Sequence, residues 1–226
     1  ILQEVAEGVA AANAVGLIHR DIKPANILIE ESTGRAKITD FGLARDLESD
    51  LESISEGKLA GAPAYMSPEQ IRSPAEIDQR SDVYAIGVVL FELTTGVKPF
   101  RGSGKALLLQ IANEDPPSPR RFQPDLSADL ETIILKCLST EPDGRYESAG
   151  DVAAELNRIQ NHLPILARPL TGRERLHRWS RRNPRLARTS LALALSLLIG
   201  ITATASFGLL AMGEARRANG ETQRAK

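Results

Sequence analysis

A single cysteine, Cys137, stands among 226 residues. No internal disulfide can form, so the small secreted scaffolds that are held by disulfides are excluded. Its setting, Thr132-Ile133-Ile134-Leu135-Lys136-Cys137-Leu138, reads as the core face of a helix. A buried structural thiol in a reducing cytosol is the expectation. The chain opens on Ile1 with no initiating methionine and no basic stretch leading into an apolar one, so no signal peptide is expected. Residues 189–212 carry no charge at all, whereas the rest of the chain is richly charged.

A net charge near zero conceals two different halves. Residues 1–163 hold 26 acids and 16 bases, a balance of −10; residues 164–226 hold 3 acids and 12 bases, a balance of +9; together they give the formal −1. The length allows one ordinary domain with a tail, and the 42% hydrophobic content is that of a globular protein.

Apolar residues at helical spacing over residues 1–15 end at Gly16, a helix stop. Further amphipathic helices are expected over 107–112, 126–138 and 149–163, separated by Pro116-Pro117-Ser118-Pro119 and by the turn Glu141-Pro142-Asp143-Gly144. Residues 83–95 form another helix with apolar residues on several faces, ended by Gly96, which argues for a central buried element.

Between Gly16 and these helices lies the stretch that carries chemistry, His19-Arg20-Asp21-Ile22-Lys23-Pro24-Ala25-Asn26. It is followed by the apolar run Ile27-Leu28-Ile29, the turn Glu31-Ser32-Thr33-Gly34, the alternating run Arg35-Ala36-Lys37-Ile38-Thr39 and then Asp40-Phe41-Gly42. Strand, turn and strand make a hairpin. With the turn centred near Thr33, Asn26 and Asp40 lie symmetrically either side of it, and antiparallel pairing sets them roughly 5 Å apart. An amide oxygen and a carboxylate facing one point suit a hard cation such as Mg²⁺, held by one or two such groups with phosphate oxygens and water. Asp21 is ionised at neutral pH and able to accept a proton from a hydroxyl.

His-Arg-Asp, then Asn26 at the required spacing, then Asp40-Phe41-Gly42 fourteen residues on, resembles the catalytic loop and Mg²⁺-binding motif of eukaryotic-type (Hanks-type) protein kinases. Lys23 in Asp-x-Lys-x-x-Asn resembles the serine/threonine branch. The resemblance implies a mainly α (α+β) fold: a kinase-like large lobe with a small β-hairpin over residues 1–163. It further implies phosphoryl transfer from Mg·ATP to hydroxyls of protein substrates. Asp21 would be the base, Lys23 would offset phosphate charge, Asn26 and Asp40 would hold the metal, and Leu28 would form the floor of the adenine site. His19, Phe41 and Gly42 would be structural, as would a salt bridge between Glu69 and Arg145.

Arg20 is similar to the residue that grips an activation-segment phosphate, for which Ser53 and Ser55 are the candidate acceptors; ordinary solvated serines are the other reading. Ser67-Pro68-Glu69 stands where Ala-Pro-Glu is common, and Ala62 where a threonine is usual. Asp82 either caps the helix it precedes or, in the kinase pattern, hydrogen-bonds the backbone of the catalytic loop. No glycine-rich lid, strand lysine or helix glutamate precedes His19, so the resemblance is to a large lobe without its small lobe. An inactive membrane-anchored scaffold is the alternative function.

From residue 164 the composition changes. Arg173, Arg175, Arg178, Arg181, Arg182, Arg185 and Arg188, with Trp179 among them, form a basic juxtamembrane linker over 164–188. Residues 189–212 follow, 24 in number. As a helix they would reach about 36 Å against roughly 30 Å of hydrocarbon, enough for a single-pass transmembrane span. The neighbouring span turns the reading of the basic run from nucleic acid to the lipid bilayer. Seven arginines before the span against four bases after it place the lobe on the cytoplasmic side of the cell membrane. Ser196, Gly200, Thr204 and Gly208 make a small-residue stripe of the kind that permits a homodimer. The polar tail, 213–226, carries no readable function.

Overall fold

The computed structural model describes residues 1–41 and 63–167, together with Ser196. Gly42, Ser53, Ser55 and Ala62 lie outside the described residues. So do the basic linker beyond residue 167 and the expected span apart from Ser196. Among the described residues no helix is long and apolar enough to cross a membrane.

The compact unit Ile1–Pro169 is mainly helical. Among the described residues it holds six helices, α1 (Leu2–Asn13), α2 (Pro68–Arg72), α3 (Arg80–Thr95), α4 (Gly104–Asn113), α5 (Ala128–Cys137) and α6 (Ala149–Gln160), and a two-stranded antiparallel sheet of β1 (Ile27–Ile29) and β2 (Ala36–Ile38), with β2 against α1. The amphipathic pattern of α1 buries Val5, Ala6 and Val9, and this face lies along α6. Ser127 and Ser148 cap α5 and α6 by accepting the backbone N–H three residues on.

Every residue of α3 from Ser81 to Phe91 is buried. A helix apolar on all faces has to be wrapped by others, and α1, α5 and α6 do this. Gly96 ends α3 in the left-handed region at φ 74°, where a side chain would be strained. Gly87 has a different reason: a Cβ there would stand 2.6 Å from Cys137 Cβ, so α3 and α5 meet at a glycine.

Cys137 is fully buried, and burial pushes its thiol from 9.0 up to about 12. A native thiol of this kind should resist iodoacetamide at pH 8 and react only after unfolding in urea; labelling of the folded chain would contradict the packing. The raised value also has a sign. Above about pH 9 the unfolded thiol releases its proton while the folded one keeps it, so this contribution to stability is complete below pH 9 and is lost as pH rises toward 12.

The hairpin register differs from the expected one by one residue. Ile27 pairs with Ile38, Leu28 with Lys37 and Ile29 with Ala36. Its turn closes through Gly34 N–H to Glu30 O (2.8 Å) with Gly34 at φ 68°, which places the centre between Ser32 and Thr33. Asn26 therefore faces Thr39, whose N–H donates to Asn26 O at 2.9 Å, and Asp40 stands one residue beyond. Asn26 and Asp40 are thus not directly opposed, contrary to the symmetric placement expected from a turn centred on Thr33.

Candidate active site

The loop from His19 to Asn26 is short and polar, yet its backbone is held from several sides. Asp82, fully buried in the first turn of α3, accepts from His19 N–H (2.9 Å) and Asn13 Nδ2 (3.1 Å) with Oδ2, and from Arg20 N–H (2.9 Å) with Oδ1. Burial pushes this carboxyl up, and the two backbone N–H groups and the Asn13 amide oppose that shift. Asp82 does not cap α3: Gln79 occupies the cap position and makes no side-chain cap bond.

His19 is also fully buried. Its Nε2 donates to Thr39 O at 3.0 Å while Nδ1 faces Asp21 N–H at 3.4 Å, roles that one tautomer fills together. Its ring lies 4.5 Å from that of Phe41. Thr39 is thus held on both sides, by the Asn26 carbonyl and by His19. The next residue, Asp40, is exposed and adopts φ 60°, a left-handed conformation that costs a non-glycine residue about 1–2 kcal/mol.

Asp21, Lys23 and Asn26 come together on the loop. Lys23 Nζ donates to Asp21 Oδ2 at 2.7 Å. Asn26, 5% exposed, donates through Nδ2 to Asp21 O (2.9 Å) and Asp21 Oδ2 (3.3 Å). The nitrogen is committed to two acceptors, so the amide oxygen is the atom left to meet a cation. That oxygen and the Asp40 carboxylate are hard donors, a set that fits Mg²⁺. Arg20 is exposed at φ 64°, and Leu28 is 54% exposed on the hairpin.

On the other side of the loop, Glu69 in α2 meets Arg145 in a two-pronged ion pair, Nη1 to Oε1 at 2.7 Å and Nη2 to Oε2 at 2.8 Å. Tyr65, in the 3-10 turn Pro63–Tyr65, donates its hydroxyl to Glu92 Oε2 of α3 at 2.5 Å. Burial and this bond raise the phenol.

Three participants escaped the reading of the sequence. Thr39 and Asn13 carry no local signal for their contacts. Gln70 does carry one, because Ser67-x-x-Gln70 is a capping box and both of its bonds are present. Its further bond, Nε2 to Arg20 O at 3.0 Å, has no counterpart in the motif.

The family model described as Protein kinase domain matches residues 1–156. The serine/threonine-protein kinases PknB of Mycolicibacterium smegmatis and Mycobacterium tuberculosis are 38% and 39% identical to this chain over 178 residues, with 77% of this chain and 28% of each relative covered. Serine/threonine-protein kinase Pkn1 of Myxococcus xanthus is 37% identical over 177 residues, covering 74% of this chain and 25% of the relative. The chain thus spans about a quarter of the length of these curated relatives. With the loop geometry and a family match over more than half of its residues, the chain belongs to the protein kinase domain family, alongside serine/threonine-protein kinases.

Proposed function

We propose that this chain is the large lobe of a membrane-anchored, receptor-like serine/threonine protein kinase that transfers the γ-phosphoryl group of Mg·ATP to serine or threonine hydroxyls of protein substrates. The supporting observation is the joining of Asp21, Lys23 and Asn26 within hydrogen-bond reach, on a loop whose backbone Asp82 fastens to the core. A docking scaffold has no need of that convergence.

In this reading the acceptor hydroxyl attacks the γ-phosphorus, the bond to the ADP oxygen breaks, and the hydroxyl proton passes to the Asp21 carboxylate. Lys23, already beside that carboxylate, offsets negative charge on the transferring group. Asn26 and Asp40 would hold Mg²⁺, which neutralises the phosphate oxygens when bound. Positioning and charge stabilisation supply most of the acceleration in such reactions. Leu28 would meet the adenine from below.

Residues 189–212 would anchor the protein in the cell membrane with the lobe in the cytoplasm. The arginines of 173–188 would lie on anionic headgroups, and Ser196, Gly200, Thr204 and Gly208 would form a homodimer face. Ser53 and Ser55 would receive the phosphate that Arg20 grips.

The test uses the longest natural polypeptide that contains this chain. Labelled phosphate should pass from ATP to casein only when Mg²⁺ is present, and Asp40→Asn should raise the Mg²⁺ concentration needed for half-maximal rate at least about tenfold, in line with the loss of a charged ligand. Wild-type protein without transfer, or an Asp40→Asn variant with an unchanged Mg²⁺ requirement, would refute the assignment.

A further inference from the structure

Gln70 is 2% exposed, and its side-chain amide is used at both ends. Oε1 accepts from Ser67 N–H at 2.9 Å, which closes the cap of α2, while Nε2 donates across fifty residues of sequence to Arg20 O at 3.0 Å. Arg20 N–H is taken by Asp82 Oδ1 at 2.9 Å. The two polar groups of Arg20's own backbone are therefore gripped from opposite sides, by α3 and by α2, and the residue between them sits at φ 64°. A non-glycine residue does not remain in the left-handed region unless its surroundings over-determine it. Asp82 fixes the N–H, and His19 Nδ1 meets the Asp21 N–H end of the next peptide only at a long 3.4 Å, so the 3.0 Å bond from Gln70 is the short contact that orients the Arg20 carbonyl. Arg20 O belongs to the peptide that ends in Asp21 N, so a rotation there carries the Asp21 carboxylate with it.

We infer that Gln70 is a positioning residue: its amide holds the Arg20–Asp21 peptide in the orientation that aims Asp21, and ties that orientation to the docking of α2. The inference rests on the kinase reading for its functional consequence and on the hydrogen bonds for its structural one. Ser67 provides the control, since its hydroxyl closes the α2 cap by accepting from Gln70 N–H at 3.4 Å and, among the described residues, makes no bond to Arg20.

The experiment compares Gln70→Leu, Gln70→Glu and Ser67→Ala in the longest natural polypeptide that contains the chain, measuring kcat, KM for ATP and amide hydrogen exchange. Gln70→Leu should lower kcat on the order of 10- to 100-fold, the penalty of a small misplacement of a reacting group, with KM for ATP within about twofold. It should also speed exchange at Asp21, whose N–H belongs to the same peptide as Arg20 O, while leaving Val89 in the core of α3 protected. Gln70→Glu, which keeps the shape but presents a carboxylate to a carbonyl, should recover relative to wild type as pH falls and the carboxyl becomes a donor. Ser67→Ala should leave kcat within about twofold, because the Gln70–Arg20 bond is intact.

A Gln70→Leu variant whose kcat and Asp21 exchange match those of Ser67→Ala overturns the inference, as does a Gln70→Glu variant with the wild-type pH profile. If the wild-type protein transfers no phosphate while Gln70→Leu still speeds exchange at Asp21, the clamp stands and the kinase reading fails. If wild type is active and Gln70→Leu is indistinguishable from it, the clamp fails and the kinase reading stands.

Discussion

Asp21→Asn is expected to lower the rate of phosphoryl transfer about 10²–10⁴-fold, the range that a general base contributes, with KM for ATP nearly unchanged. The substitution is close to isosteric. An asparagine at this position still offers an oxygen to Lys23 Nζ, now 2.7 Å from Oδ2, and the main-chain bond from Asn26 Nδ2 to Asp21 O at 2.9 Å does not involve the changed group. The loop should keep its shape because its backbone is fastened elsewhere, at His19 and Arg20 by Asp82. What disappears is a carboxylate able to take the hydroxyl proton. A drop in kcat without a drop in nucleotide affinity is the signature of a group that acts on the acceptor rather than on ATP. Lys23→Met should impair the reaction less, since it removes a charge that offsets phosphate but leaves the base in place. Measurement of both variants against the same protein substrate decides the matter: an Asp21→Asn enzyme within tenfold of wild type removes the proposed role.

The elements around this site were readable where local composition is decisive. The hairpin follows from two short apolar runs around a turn ending in Gly34, and the central helix from an apolar stretch with no polar face. Register was not readable at the same level. The choice between Asn26–Asp40 and Asn26–Thr39 turns on half a residue in the turn centre, which the bond from Gly34 N–H to Glu30 O decides. A one-residue change of register moves every facing pair, so a small error in the turn is a large one for the proposed metal ligands Asn26 and Asp40.

Asp82 illustrates another limit. Its place near the start of a helix suits a cap equally well, and only the start of α3 at Arg80 with the carboxylate turned toward His19 and Arg20 separates the two readings. Gln70 was hidden because its local role is complete in itself. Once the capping box accounts for the residue, nothing in the sequence asks for a second partner fifty positions away.

Arg145→Met should destabilise the described fold by about 3–5 kcal/mol, as expected when one partner of a buried ion pair is removed. Arginine has five N–H donors, and here all are occupied: Nε by Ser139 O (2.7 Å), Nη1 by Glu69 Oε1 (2.7 Å) and Arg80 O (3.0 Å), Nη2 by Glu69 Oε2 (2.8 Å) and Thr140 O (3.0 Å). Its side chain is 0% exposed and that of Glu69 12%. Methionine fills the volume but leaves a nearly buried carboxylate and three carbonyl groups without these donors. For a unit of this size the loss corresponds to a fall in Tm of about 10 °C. Arg145→Lys should recover only part of it, because an ammonium has three donors and no planar fork to match both carboxylate oxygens. Urea and thermal unfolding of the full chain would test this, and an Arg145→Lys protein as stable as wild type would show that charge alone suffices. The consequence reaches the site through one helix: Glu69 and Gln70 are neighbours in α2, so a helix released from Arg145 also loosens its hold on the Arg20 carbonyl. Arg145→Met should therefore raise amide exchange at Asp21, on the peptide of the Arg20 carbonyl, even under conditions where the core of α3 remains folded.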